Sequence, residues 1–191
     1  MRQARREYTP DRMTSPEPAG TRCLKRDPAL VPLSRDHHFA LMQALALTRS
    51  RGASAEKRRA LAEDFLAFYE RELLGHMADE EEALVPATSQ IAAEDVCRLV
   101  AEHHGLRERA AHLRQTLAED GELEALLPDI GVRLHDHVRF EERVFFERVQ
   151  ERLTPEALAD VGRAIEAHRA ARGRRAGCAL PAAYLAKTKS D

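Results

Sequence analysis

The clearest periodicity in the chain lies in residues 91–118, IAAEDVCRLVAEHHGLRERAAHLRQTLA. Apolar residues recur there at intervals of three and four, the spacing that brings side chains to one face of an α-helix. These residues are Val96, Leu99, Leu106, Ala110, Leu113 and Leu117. His103 falls in the middle of the same face. The pattern therefore predicts an amphipathic helix with a histidine on its buried side.

Two other stretches have a helical face of the same kind, and in each a glutamate follows the histidine by four residues. In the earlier stretch, His76 and Glu80 share a face with Phe65, Tyr69, Leu73 and Leu84. In the later stretch, His137 and Glu141 share a face with Ile130, Leu134 and Val144. A spacing of four places both polar groups on one side of a helix, about 6 Å apart along its axis.

A further helix is predicted near the start of the chain, where the sequence reads LSRDHHFAL. Its inner face is predicted from Leu41, Leu45 and Thr48. His37 and His38 both border this face, so the periodicity does not choose between them. This is the fourth predicted helix with a histidine at or beside its inner face.

These four helices are joined by short connections, which make neighbouring helices antiparallel. We therefore predict an all-α fold, an up-down-up-down four-helix bundle. Its helices are expected to cover about residues 34–52, 54–85, 91–118 and 122–152.

An additional C-terminal helix is predicted to follow the bundle, with Thr154 as its N-cap and Pro155 in its first turn. The chain then divides into three parts. They are a flexible N-terminal segment (1–30), the bundle (31–153), and the C-terminal helix with its tail (154–191). An apolar patch in the tail, residues 180–185, could dock on the bundle.

Composition narrows the class of protein. The net charge of the 191 residues is −2, which does not favour nucleic acid or an anionic membrane as a partner. No stretch approaches the roughly 20 apolar residues of a membrane span. The cysteines Cys23, Cys97 and Cys178 are far apart and form no C-x-x-C pair, a usage that suits a reducing compartment. We therefore expect a cytoplasmic protein, and the sequence does not indicate its oligomeric state.

Histidines and glutamates on four inner faces favour a metal site. A single inward histidine is more often a satisfied core residue, but a buried carboxylate is costly unless it is paired or binds a metal. A pair of metal ions accounts for both residue types, because imidazoles can terminate each ion and carboxylates can bridge the two. The spacing Glu-x-x-His of ferritin-like bundles is absent, as is H-E-x-x-H. The pair His104 and Glu108 lies beside the inner face and is expected at the surface.

Several neighbours of the histidines could support such a site. Asp36, Glu102 and Asp136 each precede a histidine, so each either bonds to a ligand or is simply exposed. Tyr69 either donates a hydrogen bond into the metal pocket or packs in the core.

The sequence resembles the hemerythrin-like, or HHE cation-binding, family over about residues 33–150. Four stretches carry the resemblance: LSRDHHFAL (33–41), GHMADEEEALVP (75–86), AEHHGLRE (101–108) and HDHVRFEERVFF (135–146). The resemblance is greatest to members with four histidines and two glutamates. It implies two non-haem, carboxylate-bridged iron ions, with zinc as a possible substitute. The implied ligands are His37, His76, Glu80, His103, His137 and Glu141, and the family's acidic residue before the first histidine favours His37 over His38.

Two positions differ from the oxygen-carrying hemerythrins. Arg107 stands where those proteins have a second histidine in the third helix, and Glu142 stands where they have an aspartate. The resemblance therefore implies a di-iron protein that senses or buffers iron, dioxygen or nitric oxide. Its partner would be iron or a small diatomic ligand. The alternatives are a di-iron oxidase, peroxidase or nitric oxide reductase, and a structural bundle that binds zinc or no metal.

Overall fold

The structure is a computed structural model, and it describes residues 25–173. Five helices and no strand occur in this range. They are α1 (Val31–Thr48), α2 (residues 55–88), α3 (Ala93–Ala118), α4 (residues 126–152) and α5 (Pro155–Ala171). Helices α1 to α4 each pack against the next, and α4 packs back against α1. The prediction of an all-α bundle with an additional C-terminal helix is confirmed.

Helices α2 and α4 are interrupted by π turns. Helix α2 is built from Ala55–Phe68, the π turn Tyr69–Leu73, Leu74–Asp79, the π turn Glu80–Leu84, and Val85–Thr88. Helix α4 is built from Leu126–Phe140, the π turn Glu141–Phe145, and Phe146–Arg152. Two of the three π turns thus begin at a predicted glutamate ligand. Single π turns within α-helices are frequent at functional sites.

The π turn in α4 changes which residues face the core. An α-helical repeat predicts Val144 on the inner face, one turn after Glu141. The wider π turn delays the repeat by one residue, so Val144 is 37% exposed and Phe145 is fully buried instead. The prediction for Val144 was therefore wrong, while the residues before the π turn face inward as expected.

The inner face of α1 also differs from the prediction. Leu41 and Thr48 are only half-buried, and Leu45 is 50% exposed. The buried residues are instead Leu33, His37, Ala40, Ala44 and Leu47. Small alanines on this face allow α1 to approach α4 closely. Compared with the prediction, α1 is rotated about its axis, and this orientation buries His37 and exposes His38.

Helix ends agree with the predicted capping signals at two places. Ser54 accepts a hydrogen bond from the Lys57 backbone N–H, and Thr154 accepts one from the Ala157 backbone N–H. The second helix does not stop before Pro86 but continues to Thr88, because Pro86 occupies the first turn of the segment that follows a π turn. The fourth helix begins later than predicted, and Pro128 falls within its first turn, where a missing N–H is tolerated.

The buried apolar residues form two clusters, one at each end of the bundle. One cluster joins all four bundle helices and includes Ala44, Phe65, Leu113 and Ile130. The other joins the opposite end of the bundle to α5 and includes Leu30, Leu84, Phe146 and Ile165. His37 and His103 lie between members of the two clusters along their helices, and the predicted ligands of α2 and α4 lie where those helices pass from one cluster to the other. None of the helices in residues 25–173 is long and apolar enough to cross a lipid bilayer.

Both flanking segments contact the bundle where the structure describes them. Leu30 is fully buried, and the guanidinium of Arg26 bonds to two carboxylates of α4. The division of the chain into segments 1–30, 31–153 and 154–191 stays a prediction. Cys97 is exposed, whereas Cys23, Cys178 and the apolar patch at residues 180–185 lie outside the described residues.

We expect Gly131→Ala to destabilise the fold and Gly105→Ala to stabilise it. A Cβ at Gly131 would lie 2.6 Å from the Thr48 side chain and 2.7 Å from the Ala44 carbonyl oxygen, whereas one at Gly105 would meet nothing within 4 Å. Overpacking costs about 1–3 kcal/mol, and alanine is better than glycine within a helix by roughly 0.5–1 kcal/mol. Urea denaturation measures both variants. Equal changes in their free energies of unfolding would contradict the close approach of α1 to α4.

Candidate metal centre

The structure brings together all six side chains predicted as metal ligands. His37 comes from α1, His76 and Glu80 from α2, His103 from α3, and His137 and Glu141 from α4. None of the six is more than 3% exposed. They form two groups of four potential ligands, and both glutamates belong to both groups.

The first group contains His37, His76, Glu80 and Glu141. The His37 Nε2 atom lies 3.0 Å from Glu141 Oε2, and the His76 Nε2 atom lies 3.5 Å from Glu80 Oε1. The two Nε2 atoms are 3.0 Å apart. Four potential ligand atoms of this group all lie within 4.8 Å of one another.

The second group contains His103 and His137 with the other oxygens of the same glutamates. The His103 Nε2 atom lies 3.2 Å from Glu80 Oε2, and the His137 Nε2 atom lies 3.1 Å from Glu141 Oε1. The two imidazole rings meet edge to face, with centroids 4.9 Å apart. Each glutamate therefore directs one oxygen toward each group, which is the arrangement of a carboxylate that bridges two cations.

A carboxylate faces the Nδ1 atom of every one of the four histidines. The nitrogen–oxygen distances are 2.6 Å for His37–Glu142, 3.3 Å for His76–Asp36, 2.8 Å for His103–Glu81 and 2.9 Å for His137–Glu102. A carboxylate in this position accepts a hydrogen bond from the Nδ1–H group, so that the Nε2 lone pair points away from it. In this protein the Nε2 atoms point toward the centre.

Sequence reasoning found two of these four carboxylates. Asp36 and Glu102 were among the candidates, whereas Asp136 lies at the surface beside His135. Glu81 and Glu142 were missed as partners, although each directly follows a predicted bridging glutamate. The pairs of adjacent glutamates at 80–81 and 141–142 could have indicated these partners. When the first glutamate of a pair points into the core, the side chain of the second can reach a histidine on a neighbouring helix.

The centre contains acceptors without donors. When each Nδ1 atom donates its proton outward, four Nε2 lone pairs and four carboxylate oxygens converge in a buried space. Among the described residues, both oxygens of Glu80, both oxygens of Glu141 and the Nε2 atoms of His103 and His137 have no hydrogen-bond partner. Unpaired buried polar atoms are costly. Two cations would pair them all, so the donor set fits a pair of metal ions.

The negative potential of the centre also appears in the pKa values of its histidines. Burial lowers the pKa of His37, but the nearby carboxylates of Glu141 and Glu142 outweigh this effect and raise it to about 10. Burial likewise opposes protonation of His103, and contacts with Glu141, Glu80 and Glu81 raise its pKa to about 11. Positive charge is therefore favoured here. Protons and metal ions compete for the same nitrogens, so metal binding releases protons.

A narrow pocket leads from the surface to the first group, between α1, α2 and α4. Its walls are largely apolar and include Phe39, Ala40, Phe68, Leu73 and Val138. His37, His76, His137 and Glu141 also line it. It has room for about one water-sized molecule.

Other residues singled out from the sequence lie outside the centre. Tyr69 packs in the core with its ring centroid 6.3 Å from that of Phe65, and it does not line the pocket. Burial raises the pKa of its hydroxyl. The His104 and Glu108 side chains form a surface pair at 3.3 Å, as predicted.

Fold and centre together define a helical bundle with a buried cation-binding core. The model of the hemerythrin HHE cation-binding domain family matches residues 30–149. The chain therefore belongs to this family. No curated protein and no solved structure matches the chain significantly.

Proposed function

We propose that this protein is a non-haem di-iron protein that binds its metal pair through His37, His76, Glu80, His103, His137 and Glu141. One observation carries the proposal. Four Nε2 atoms and four carboxylate oxygens converge in two groups, with both glutamates shared between the groups. The glutamate oxygens, which would bridge the two ions, lie in the centre of this set, and the imidazoles lie at its two ends.

Iron suits this donor set. Imidazole binds iron, zinc and copper well, and a mixture of imidazoles and carboxylates with open positions is typical of non-haem iron. Each group offers four protein ligand atoms. Iron would retain positions for a small ligand, whereas zinc is commonly complete with four ligands. Because zinc also binds imidazole and carboxylate, it is the expected substitute for iron.

The role that we propose is sensing or buffering of iron, dioxygen or nitric oxide. The bound metal pair would supply the ligand-binding and redox chemistry. The residues of the chain orient the imidazoles through their Nδ1–H groups and surround the centre with apolar side chains. The pocket beside His37 and His76 has room for only about one water-sized molecule, so it would exclude all but very small ligands. The sparse cysteines favour the cytoplasm as its location.

Arg107 argues against reversible oxygen carriage. Its guanidinium stays protonated and cannot bind a metal. It also forms a two-pronged contact with Glu81, at 2.9 and 3.0 Å, directed away from the centre. The metal pair would thus have four imidazoles. Compared with the oxygen-carrying hemerythrins, which have a histidine in place of Arg107, it would have one more position open to water or a reactant. An open position of this kind favours irreversible oxidation of the metal pair.

The experiment is to load the protein anaerobically with Fe²⁺ and to record optical spectra on mixing with dioxygen or nitric oxide. We expect both gases to change the spectrum and the change with dioxygen to persist under vacuum. Protein loaded with Zn²⁺ is the control and should not respond. Repeated turnover of either gas would instead indicate an enzyme. No response of the iron-loaded protein would exclude gas sensing.

A further inference from the structure

Each of the four carboxylates that hold the histidines also bonds to an arginine. The arginine–carboxylate pairs are Arg26–Glu142 at 2.6 Å, Arg169–Asp36 at 2.7 Å, Arg107–Glu81 at 2.9 Å and Arg98–Glu102 at 2.7 Å. Four chains of contact result, each running from an arginine through a carboxylate to the Nδ1 atom of a histidine.

The four arginines come from two different parts of the molecule. Arg98 and Arg107 lie on α3, and their carboxylates hold the two histidines of the second group. Arg26 precedes α1 and Arg169 lies on α5, so both lie outside the matched residues 30–149. Their carboxylates hold the two histidines of the first group. One end of the centre is therefore supported from within the bundle, and the other is supported from its flanks.

We propose that Arg26 and Arg169 are positioning residues for the metal position formed by His37 and His76. This inference rests on the proposed metal pair. It assigns a function to segments that the family match does not include, because both flanking segments must be docked on the bundle for the first position to be complete. The second position needs only α3 and its neighbours in the bundle.

The contacts of Arg26 make it more than a surface charge. Its side chain is 8% exposed, and it also donates a hydrogen bond to the Glu142 backbone carbonyl at 2.8 Å. The guanidinium lies 5.2 Å from the centre of the Phe146 ring. That ring in turn stacks on the His37 imidazole, with centroids 5.5 Å apart. Arg26 thus holds both the carboxylate and the aromatic ring that fix His37.

Arg169 has a comparable position on the other side of the first group. Its side chain is 6% exposed, and it bonds through Nε to Asp79, which is fully buried, and through a terminal nitrogen to Asp36. Asp36 then faces the Nδ1 atom of His76. By contrast, the side chains of Arg98 and Arg107 are 52% and 34% exposed. Buried charges interact more strongly because solvent screens them less.

The test is a titration with Co²⁺, whose visible absorption reports its coordination. His76→Ala and His137→Ala provide the reference spectra of protein that lacks the first or the second position. In Arg26→Gln and Arg169→Gln we expect roughly 10–100-fold weaker binding of one Co²⁺, the usual loss when the partner of a ligand is removed. The remaining spectrum should match that of His76→Ala. Arg107→Gln should instead weaken the position that His137→Ala removes.

Two further variants separate positioning from a general loss of stability. Arg163→Gln changes an exposed arginine of α5 and should bind Co²⁺ like the wild type. Arg26→Lys returns the positive charge and should recover part of the lost affinity. Thermal unfolding of the metal-free variants identifies any that do not fold, and if Arg169→Gln is one of them, Arg26→Gln and Arg26→Lys provide the test.

The outcomes distinguish this inference from the proposed function. Equal weakening of both positions in Arg26→Gln, or no weakening, would overturn the positioning role while leaving the metal pair intact. A wild-type protein that binds no Co²⁺ would overturn the metal pair and this inference together.

Discussion

The substitution Glu141→Gln should remove metal from both positions at once. Glu141 directs one oxygen toward His37 and the other toward His103 and His137, at distances of 3.0 to 3.6 Å. A glutamine has the same shape but loses the negative charge, and its amide N–H₂ group would donate toward the centre. We expect the iron content of the reconstituted protein to fall from two ions per chain to nearly none, measured by elemental analysis after gel filtration.

Glu108→Gln is the matched control for this prediction. Glu108 is 62% exposed and forms a surface ion pair with His104. This variant should keep the iron content of the wild type. If Glu141→Gln still held one ion firmly, Glu141 would be a ligand of a single metal. If it held two, the bridging role would be wrong.

The neighbouring histidines of α1 provide the second large effect. His37→Ala should lose the ion at the first position, whereas His38→Ala should retain both ions. His37 is 2% exposed with its Nε2 atom 3.0 Å from Glu141, whereas His38 is exposed at the surface. The two variants have the same composition, which makes each a control for the other.

Iron content and the absorption spectrum of the Co²⁺-loaded protein measure this difference. The reverse result, with metal lost only in His38→Ala, would mean that α1 is rotated by one residue. That result would overturn the assignment of His37 as a ligand, together with the proposed role of Arg26, which acts through Glu142 on His37. Equal iron content in the two variants would mean that α1 contributes no ligand.

Much of the fold and of the centre could be predicted from the sequence. Helices α2 and α3 have large apolar residues on one face, and every inner residue predicted for them is buried. The histidines and glutamates on these faces needed no tertiary information to be recognised. Helix α1 was harder because its contact with α4 is made by Ala40 and Ala44, which carry a weaker periodic signal than leucine.

Two features depended on tertiary structure or on local geometry. A π turn does not follow from an α-helical repeat, so the shift from Val144 to Phe145 could not be foreseen. The two arginine chains of the first group join residues that are distant in sequence: 116 positions separate Arg26 from Glu142 and 133 separate Arg169 from Asp36. Only the packing of the flanking segments on the bundle brings these pairs together.

The central claim is that the buried acceptors hold two metal ions, and the iron content of the wild-type chain tests it most directly. Protein reconstituted anaerobically with Fe²⁺ and freed of excess metal should contain two irons per chain, one for each group of ligands. A chelator should remove them and lower the thermal stability, since a ligand that binds only the folded state stabilises it. An iron content near zero, together with a thermal stability that chelation does not change, would contradict the account.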